Sequence, residues 1–312
     1  MTPREAIAAA LRRQKPAGLV PHLELEFQLS EELVGVRALR KEHLEDVSGA
    51  RRQDMLKRNA EHWVEVARHL DYSVITGLHW LAPEDQLQSF AYLREIAGDT
   101  YMLSAFVDGT FAIPDGASMM AQAVYFHEQP ERALEEAHRQ VEAAIARGLE
   151  LIAGGAEVVF MCADYCFNTG PFLSPPMFRR FVTPFLKRQI AAFRAAGAFA
   201  VKHTDGNLLP ILDQLLACEP DALHSIDPMA GLDIKHIRGI VGDRVCLIGN
   251  VNCAYLQQGP PEKIVESARY CLEHGGVETG GYVYSTSNCI FEGVPLENYR
   301  LMLRVRDEFV PG

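Results

Sequence analysis

The stretch VKHTDGN, residues 201–207, sets a histidine and an aspartate two apart at the end of an apolar run. Side chains two apart on an extended chain point to the same side, so His203 and Asp205 face one space. Neutral imidazole and carboxylate are both metal ligands and both proton carriers. Two further groups can join them: Asp227 in SIDPMAG and Cys289 in STSNCIF. One imidazole, two carboxylates and a thiolate make a tetrahedral zinc set, and an open zinc site keeps one position for substrate. Each residue also has a plainer reading. Asp205 can cap the helix that GNLLPILDQLL predicts, and Asp227 can hold its Asp-Pro turn. His203 can be a hydrogen-bonded core residue, and Cys289 a small buried one.

The elements that would gather these groups repeat along the chain. Short apolar runs (LVPHLEL, DYSVITG, YMLSAFVDG, AEVVFMCAD, AFAVKHTDG, DALHSIDP, RVCLIGNVN and YVYSTSN) alternate with long stretches whose apolar residues recur every three or four positions. Strand–helix alternation predicts parallel strands with helices outside. Eight such units predict closure into an α/β (β/α)8 TIM barrel, a single domain spanning 1–312 with an N-terminal helical extension. No run leads into a GxGxxG or GxxxxGK[ST] loop, so an open nucleotide-binding sheet is disfavoured. In a barrel of this kind chemistry occurs at the carboxyl ends of the strands. The polar residues there are Glu24, Glu26, Thr76, Asp108, Asp164, His203, Asp205, Asp227, Asn250, Asn252 and the segment 285–289.

Composition narrows the partners. The formal charge of −11 argues against a nucleic-acid surface. No apolar run reaches the roughly 20 residues a membrane helix needs. The opening MTPREAIAAALRRQ reads as a capped helix, with Thr2 as cap and Glu5 completing a capping box, not as a signal peptide. The expected location is cytoplasmic. Seven scattered cysteines without a CxxC pair give no disulfide framework.

At the level of longer motifs the chain resembles the uroporphyrinogen decarboxylase-like superfamily. The resemblance runs through GAEVVFMCADY, LSPPMFRRFVTPFLKRQ, HTDGNLLPILDQL, DALHSIDPMAGLDI, GDRVCLIGNVN and STSNCIFEGVPLENYRLML. It implies a (β/α)8 barrel and one of two activities. True decarboxylases in that superfamily grip a polycarboxylate with an arginine-rich RQAGR loop after the first strand. Here QLSEELVG follows it, with glutamates in place of guanidinium forks, and the second strand ends VITGLHW without the family's aspartate. The other arm moves methyl groups to or from a corrinoid and holds zinc through His-x-Cys on the fifth strand and Cys on the eighth. His203 matches that histidine, Asp205 replaces the cysteine, and Asp227 falls where a related methionine synthase has a glutamate. Counting back from Pro295 places Asn288, with Cys289 beside it, at the last ligand.

The resemblance therefore implies a zinc-dependent methyltransferase, with metal ligands His203, Asp205, Asp227 and Cys289. It would move a methyl group between a small O-methyl, N-methyl or thiol substrate and a corrinoid carried by a partner protein. Replacing a thiolate by a carboxylate hardens the zinc toward an oxygen or nitrogen leaving group. His203, Asp164 and Asp205 would be the catalytic groups, and Glu24, Glu26, Asp108, Asn250, Asn252 and Asn288 would hold the substrate. Lys202 should point into the outer layer. Two alternatives stand beside this: a metal-free decarboxylase or lyase using the same groups as acids and bases, and a non-catalytic small-molecule binding protein. Residues 30–50 are placed to cover the mouth or to face a second copy in a homodimer.

Overall fold

The structure is a computed structural model and describes residues 1–310. Apolar alternation produces a curled parallel sheet whose strands run, in order of hydrogen bonding, β1 (Val74–Ile75), β2 (Met102–Phe106), β3 (Val158–Met161), β6 (Phe199–His203), β7 (Ala222–His224), β8 (Cys246–Ile248) and β9 (Tyr282–Val283). Between β3 and β6 an antiparallel hairpin, β4 (Cys166–Phe167) with β5 (Gly170–Pro171), rises over the carboxyl end. The long helices predicted between strands form outside the sheet, among them Gly49–His69, Pro130–Ala153 and Pro261–His274. The amphipathic stretch PPMFRRFVTPFLKRQIAAFRAAG between β3 and β6 forms two helices, Pro175–Phe181 and Thr183–Ala195, with Pro184 in the first turn of the second.

The barrel closes through the segment predicted as its first strand. His22 bridges Tyr72 on one side and Tyr284 on the other, both in parallel sense. This stave is bridged residue by residue and not by a continuous ladder. Pro21 has no N–H to give; its carbonyl accepts from Tyr284 N at 2.9 Å. Inside the cylinder lie Leu23, Leu25, Val74, Met102, Val158, Phe160, Val201, Ala222, Cys246, Ile248 and Val283. Alternate residues such as Val159, Ala200, Leu223 and Leu247 pack outward on the helices.

The helix Pro3–Leu11 lies across the amino end of the cylinder. Thr2 caps it and Glu5 completes the capping box, as the sequence predicts. Ile7, Ala10 and Leu11 join the interior cluster. Arg4 and Arg94 both bind the carboxylate of Glu157, tying this helix to the start of β3. Among the described residues no helix is long and apolar enough to cross a membrane.

Candidate metal and acid–base centre

Two adjacent strands build the centre. Val158 and Phe160 of β3 face inward, pairing with Phe199 and Val201 of β6. Continuing the same alternation carries Asp164 on one chain and His203 and Asp205 on the other into the carboxyl-end mouth. One ligand atom from each of these three lies within 4.8 Å of the others. The His203 Nε2 atom is 3.7 Å from Asp164 Oδ1 and 3.8 Å from Asp205 Oδ1, too far for direct hydrogen bonds.

Each member is held from behind. Asp164 Oδ1 accepts the Asp205 backbone N–H at 2.9 Å. Ser225 Oγ donates to Asp205 Oδ1 at 2.6 Å, and the Asn288 amide donates to its other oxygen. Ser225 reaches that position from a left-handed turn, with φ of 90° followed by 49° at Ile226. Gly206 has φ +80, and a Cβ there would lie 2.2 Å from the Cys166 carbonyl oxygen. Only glycine lets HTDGN pass under the hairpin and present Asp205.

The electrostatics leave the centre without a balanced charge. Burial, aided by the Lys202 ammonium, drops His203 to about 3, so its imidazole is neutral. Burial lifts Asp205 to about 7, with Asp164 and Asp227 adding repulsion, against the pull of Ser225 and Asn288. One imidazole nitrogen and two carboxylate oxygens, converging and only partly covered, suit a divalent cation. Asp205, Asp164 and His203 are the residues that can hold one.

His224 was not foreseen in the sequence. It pairs in register with His203 on β7, is fully buried, and sets its Nδ1 2.7 Å from the His203 Nδ1. His79, in the short 3-10 turn Gly77–Trp80 after β1, was also missed. Its Nε2 lies 2.7 Å from Glu26 Oε1, and its ring stacks on Phe106 at 4.1 Å. Trp80 Nε1 and Gln28 also donate to Glu26. Burial would raise that carboxyl, but these donors and the His79 charge bring it to about 2. Beside this rim a cleft of about 290 Å³ is bordered by Gln28, Trp80, Arg37 and Arg40. The Arg40 guanidinium lies 4.6 Å over the Trp80 ring, and Arg37 pairs with Glu31 and Glu292.

Several expected site residues are spent elsewhere. Asp227 is the cap it could have been: Oδ1 accepts from Met229 N at 2.8 Å and Oδ2 from Gly206 N at 3.2 Å, and it is outside the cluster of three. Cys289 is also outside it; its buried thiol belongs to the interior apolar cluster, and burial pushes it up, away from thiolate. In the segment beyond β9, Asn288 turns to the site instead. Glu24 is wholly buried, its oxygens taken by His22, Ser285 and Thr286, so no substrate can reach it. Asp108 pairs with Lys202 Nζ at 2.9 Å and accepts from Thr110 and Ala163. Lys202 itself turns away from the mouth, into the layer behind the sheet. The Asn250 amide donates to the Ile226 carbonyl, and Asn252 caps the helix Cys253–Gln258. Glu26 and Asn288 remain at the mouth.

The family model for uroporphyrinogen decarboxylase matches residues 87–309, and the chain belongs to that family. A uroporphyrinogen decarboxylase of Chlorobium luteolum is 32% identical over 146 residues, covering 44% of this chain and 39% of that protein. The chain thus matches about two-fifths of the length of that curated relative. In three dimensions it is similar to a methyltransferase from Methanosarcina mazei, with TM-score 0.74, 19% identity and 99% of both chains covered. It is also similar to a B12-independent methionine synthase from Shewanella, with TM-score 0.52, 14% identity, and 94% and 92% of the two chains covered. These structural likenesses establish the barrel fold.

Proposed function

We propose that this chain is a methyltransferase that uses a divalent cation, most simply zinc, at Asp164, His203 and Asp205. It would pass a methyl group from a small O-methyl or N-methyl compound to a corrinoid on a partner protein. The observation that carries this reading is the approach of those three ligand atoms to within 4.8 Å around a neutral imidazole. The likeness to the Methanosarcina methyltransferase supports it, as do Glu31 and Glu32 of QLSEELVG, where a polycarboxylate-binding loop needs guanidinium groups.

When bound, the cation would act as a Lewis acid toward the departing oxygen or nitrogen. The methyl leaves with no electrons from its old bond, so that atom keeps the pair and needs positive charge or a proton. In the metal-free site Asp205 holds such a proton at neutral pH; as a ligand it would be ionised, with the positive charge supplied by the cation. Ser225 and Asn288 fix its two oxygens, and Asp164 borders the same space. The ionised Glu26 on the facing rim would orient a substrate that carries a donor group.

A metal-free lyase is the second reading, favoured by the raised Asp205 carboxyl beside a neutral imidazole, an acid and a base in one pocket. Metal analysis of protein grown with added zinc, together with corrinoid methylation assays on methyl ethers and methylamines, separates the two. Methyl transfer abolished by chelation and restored by Zn²⁺ supports the first reading. Turnover that survives complete metal removal overturns it in favour of the second.

A further inference from the structure

The interior of the mouth holds one polar group that nothing so far employs. His224 is fully buried, its Nε2 has no hydrogen-bond partner among the described residues, and its Nδ1 meets the Nδ1 of His203 at 2.7 Å. Two ring nitrogens at that separation share one proton, so one ring donates and the other accepts. Both rings are enclosed and neither has a carboxylate within hydrogen-bond distance, so each carries a single proton. Only two arrangements satisfy these conditions. In one, His224 donates, and His203 carries its remaining proton on Nε2, aimed at Asp164 and Asp205. In the other, His203 donates through Nδ1, leaving a lone pair on Nε2 facing the same carboxylates, while His224 carries its proton on Nε2.

We propose that His224 is a positioning residue: by accepting the His203 Nδ1 proton it fixes the His203 Nε2 lone pair toward Asp164 and Asp205 when a divalent cation is present. This rests on the cation site proposed above and adds the group that sets its histidine. Without a cation the first arrangement wins, because an N–H facing two carboxylate oxygens 3.7 and 3.8 Å away is attracted and a lone pair is repelled. Loading then swaps the pair. His203 loses the proton at Nε2 and gains one at Nδ1; His224 loses one at Nδ1 and gains one at Nε2. The pair carries two protons before and after, so the swap itself releases none. The backbone register His203↔His224 makes the contact a property of the sheet and not of a mobile loop.

The test is competition of the protein against a chelator for Zn²⁺ and Co²⁺, on the wild type and on His203→Ala, His224→Phe and His224→Asn. Phenylalanine fills the space but cannot accept; asparagine can place its carbonyl oxygen where Nδ1 stands. Loss of such a supporting partner weakens metal affinity about 10- to 100-fold, so His224→Phe should bind that much more weakly and His224→Asn should recover most of the loss. Nitrogen-15 histidine spectra of the unaltered protein read the same event without a variant: Zn²⁺ should move the His203 proton from Nε2 to Nδ1 and the His224 proton the opposite way. Wild-type affinity in His224→Phe, or a His224 that keeps its Nδ1 proton in the zinc-loaded protein, overturns this inference and leaves the cation site standing. If His203→Ala binds as tightly as wild type, the cation site itself falls and the role of His224 falls with it.

Discussion

Two carboxylate–histidine groupings face each other across the mouth, and they behave oppositely. On one rim Glu26 and His79 meet at 2.7 Å, with Trp80 and Gln28 completing the carboxylate's donors, and Glu26 falls to about 2. On the other, His203 stands 3.8 Å from Asp205, and burial drives the imidazole to about 3 and the carboxyl to about 7. Each sets one carboxylate beside one imidazole. What differs is whether the local donors satisfy the charge. The charge of Glu26 is balanced by its neighbours, with Oε2 holding one donor, Gln28. Asp205 lies beside two other carboxylates, and its histidine is turned to a second histidine, so the charge is left for a cation or a proton to balance.

Four changes would break or sharpen that contrast. The largest effect is expected from His203→Ala, which should abolish metal uptake and lower turnover about 10³-fold, at a cost of about 1–3 kcal/mol in stability because His224 loses its partner; metal content, methyl-transfer rate and thermal unfolding measured on one preparation check it. Next is Asp205→Asn, followed by urea unfolding in chelator across pH. Because the folded pKa of Asp205 is raised from 3.8 to about 7, the wild type loses stability as pH rises through that window. The variant should therefore gain on wild type by roughly 2–4 kcal/mol between pH 4 and pH 8. A gap that does not change with pH would remove the buried-carboxyl account.

Glu26→Gln should show the opposite sign. The folded pKa is depressed from 4.5 to about 2, so the wild-type advantage is complete above 4.5 and disappears as pH falls toward 2. Losing a charged hydrogen-bonded group should cost about 1.5–3 kcal/mol near neutrality, read from the same unfolding curves. The smallest effect belongs to Asn252→Ala. As a helix cap it should cost about 1 kcal/mol and leave metal content and KM unchanged; a raised KM would return Asn252 to the substrate.

How much of this the sequence disclosed depends on geometry. His203, Asp205 and Asp164 were legible because they continue the inward alternation of β6 and β3 beyond the last apolar residue. His224 obeys the same rule, two after the inward Ala222, but within DALHSID it reads as one more residue of a buried run. His79 sits in the single 3-10 turn Gly77–Trp80, too short for spacing to give a direction. The opposite error befell Asp108, Asp227, Asn250 and Asn252. Standing at the carboxyl ends of strands identifies them as polar groups near the mouth, yet the backbone and Lys202 claim their atoms first. Cys289 and Glu24 are near enough but buried. Proximity is written in strand order; availability is decided by the hydrogen bonds of neighbours far away in the chain.

The short helix Pro3–Leu11, seated with Ile7, Ala10 and Leu11 in the cylinder's interior, stoppers one end of the barrel. Traffic is then one-way in architecture and two-way in use: whatever enters at the rim of His203 must back out past it. On the proposed methyl-transfer reading, the methyl donor, its spent remnant and a docking acceptor would share a single doorway, and turnover would proceed by taking turns.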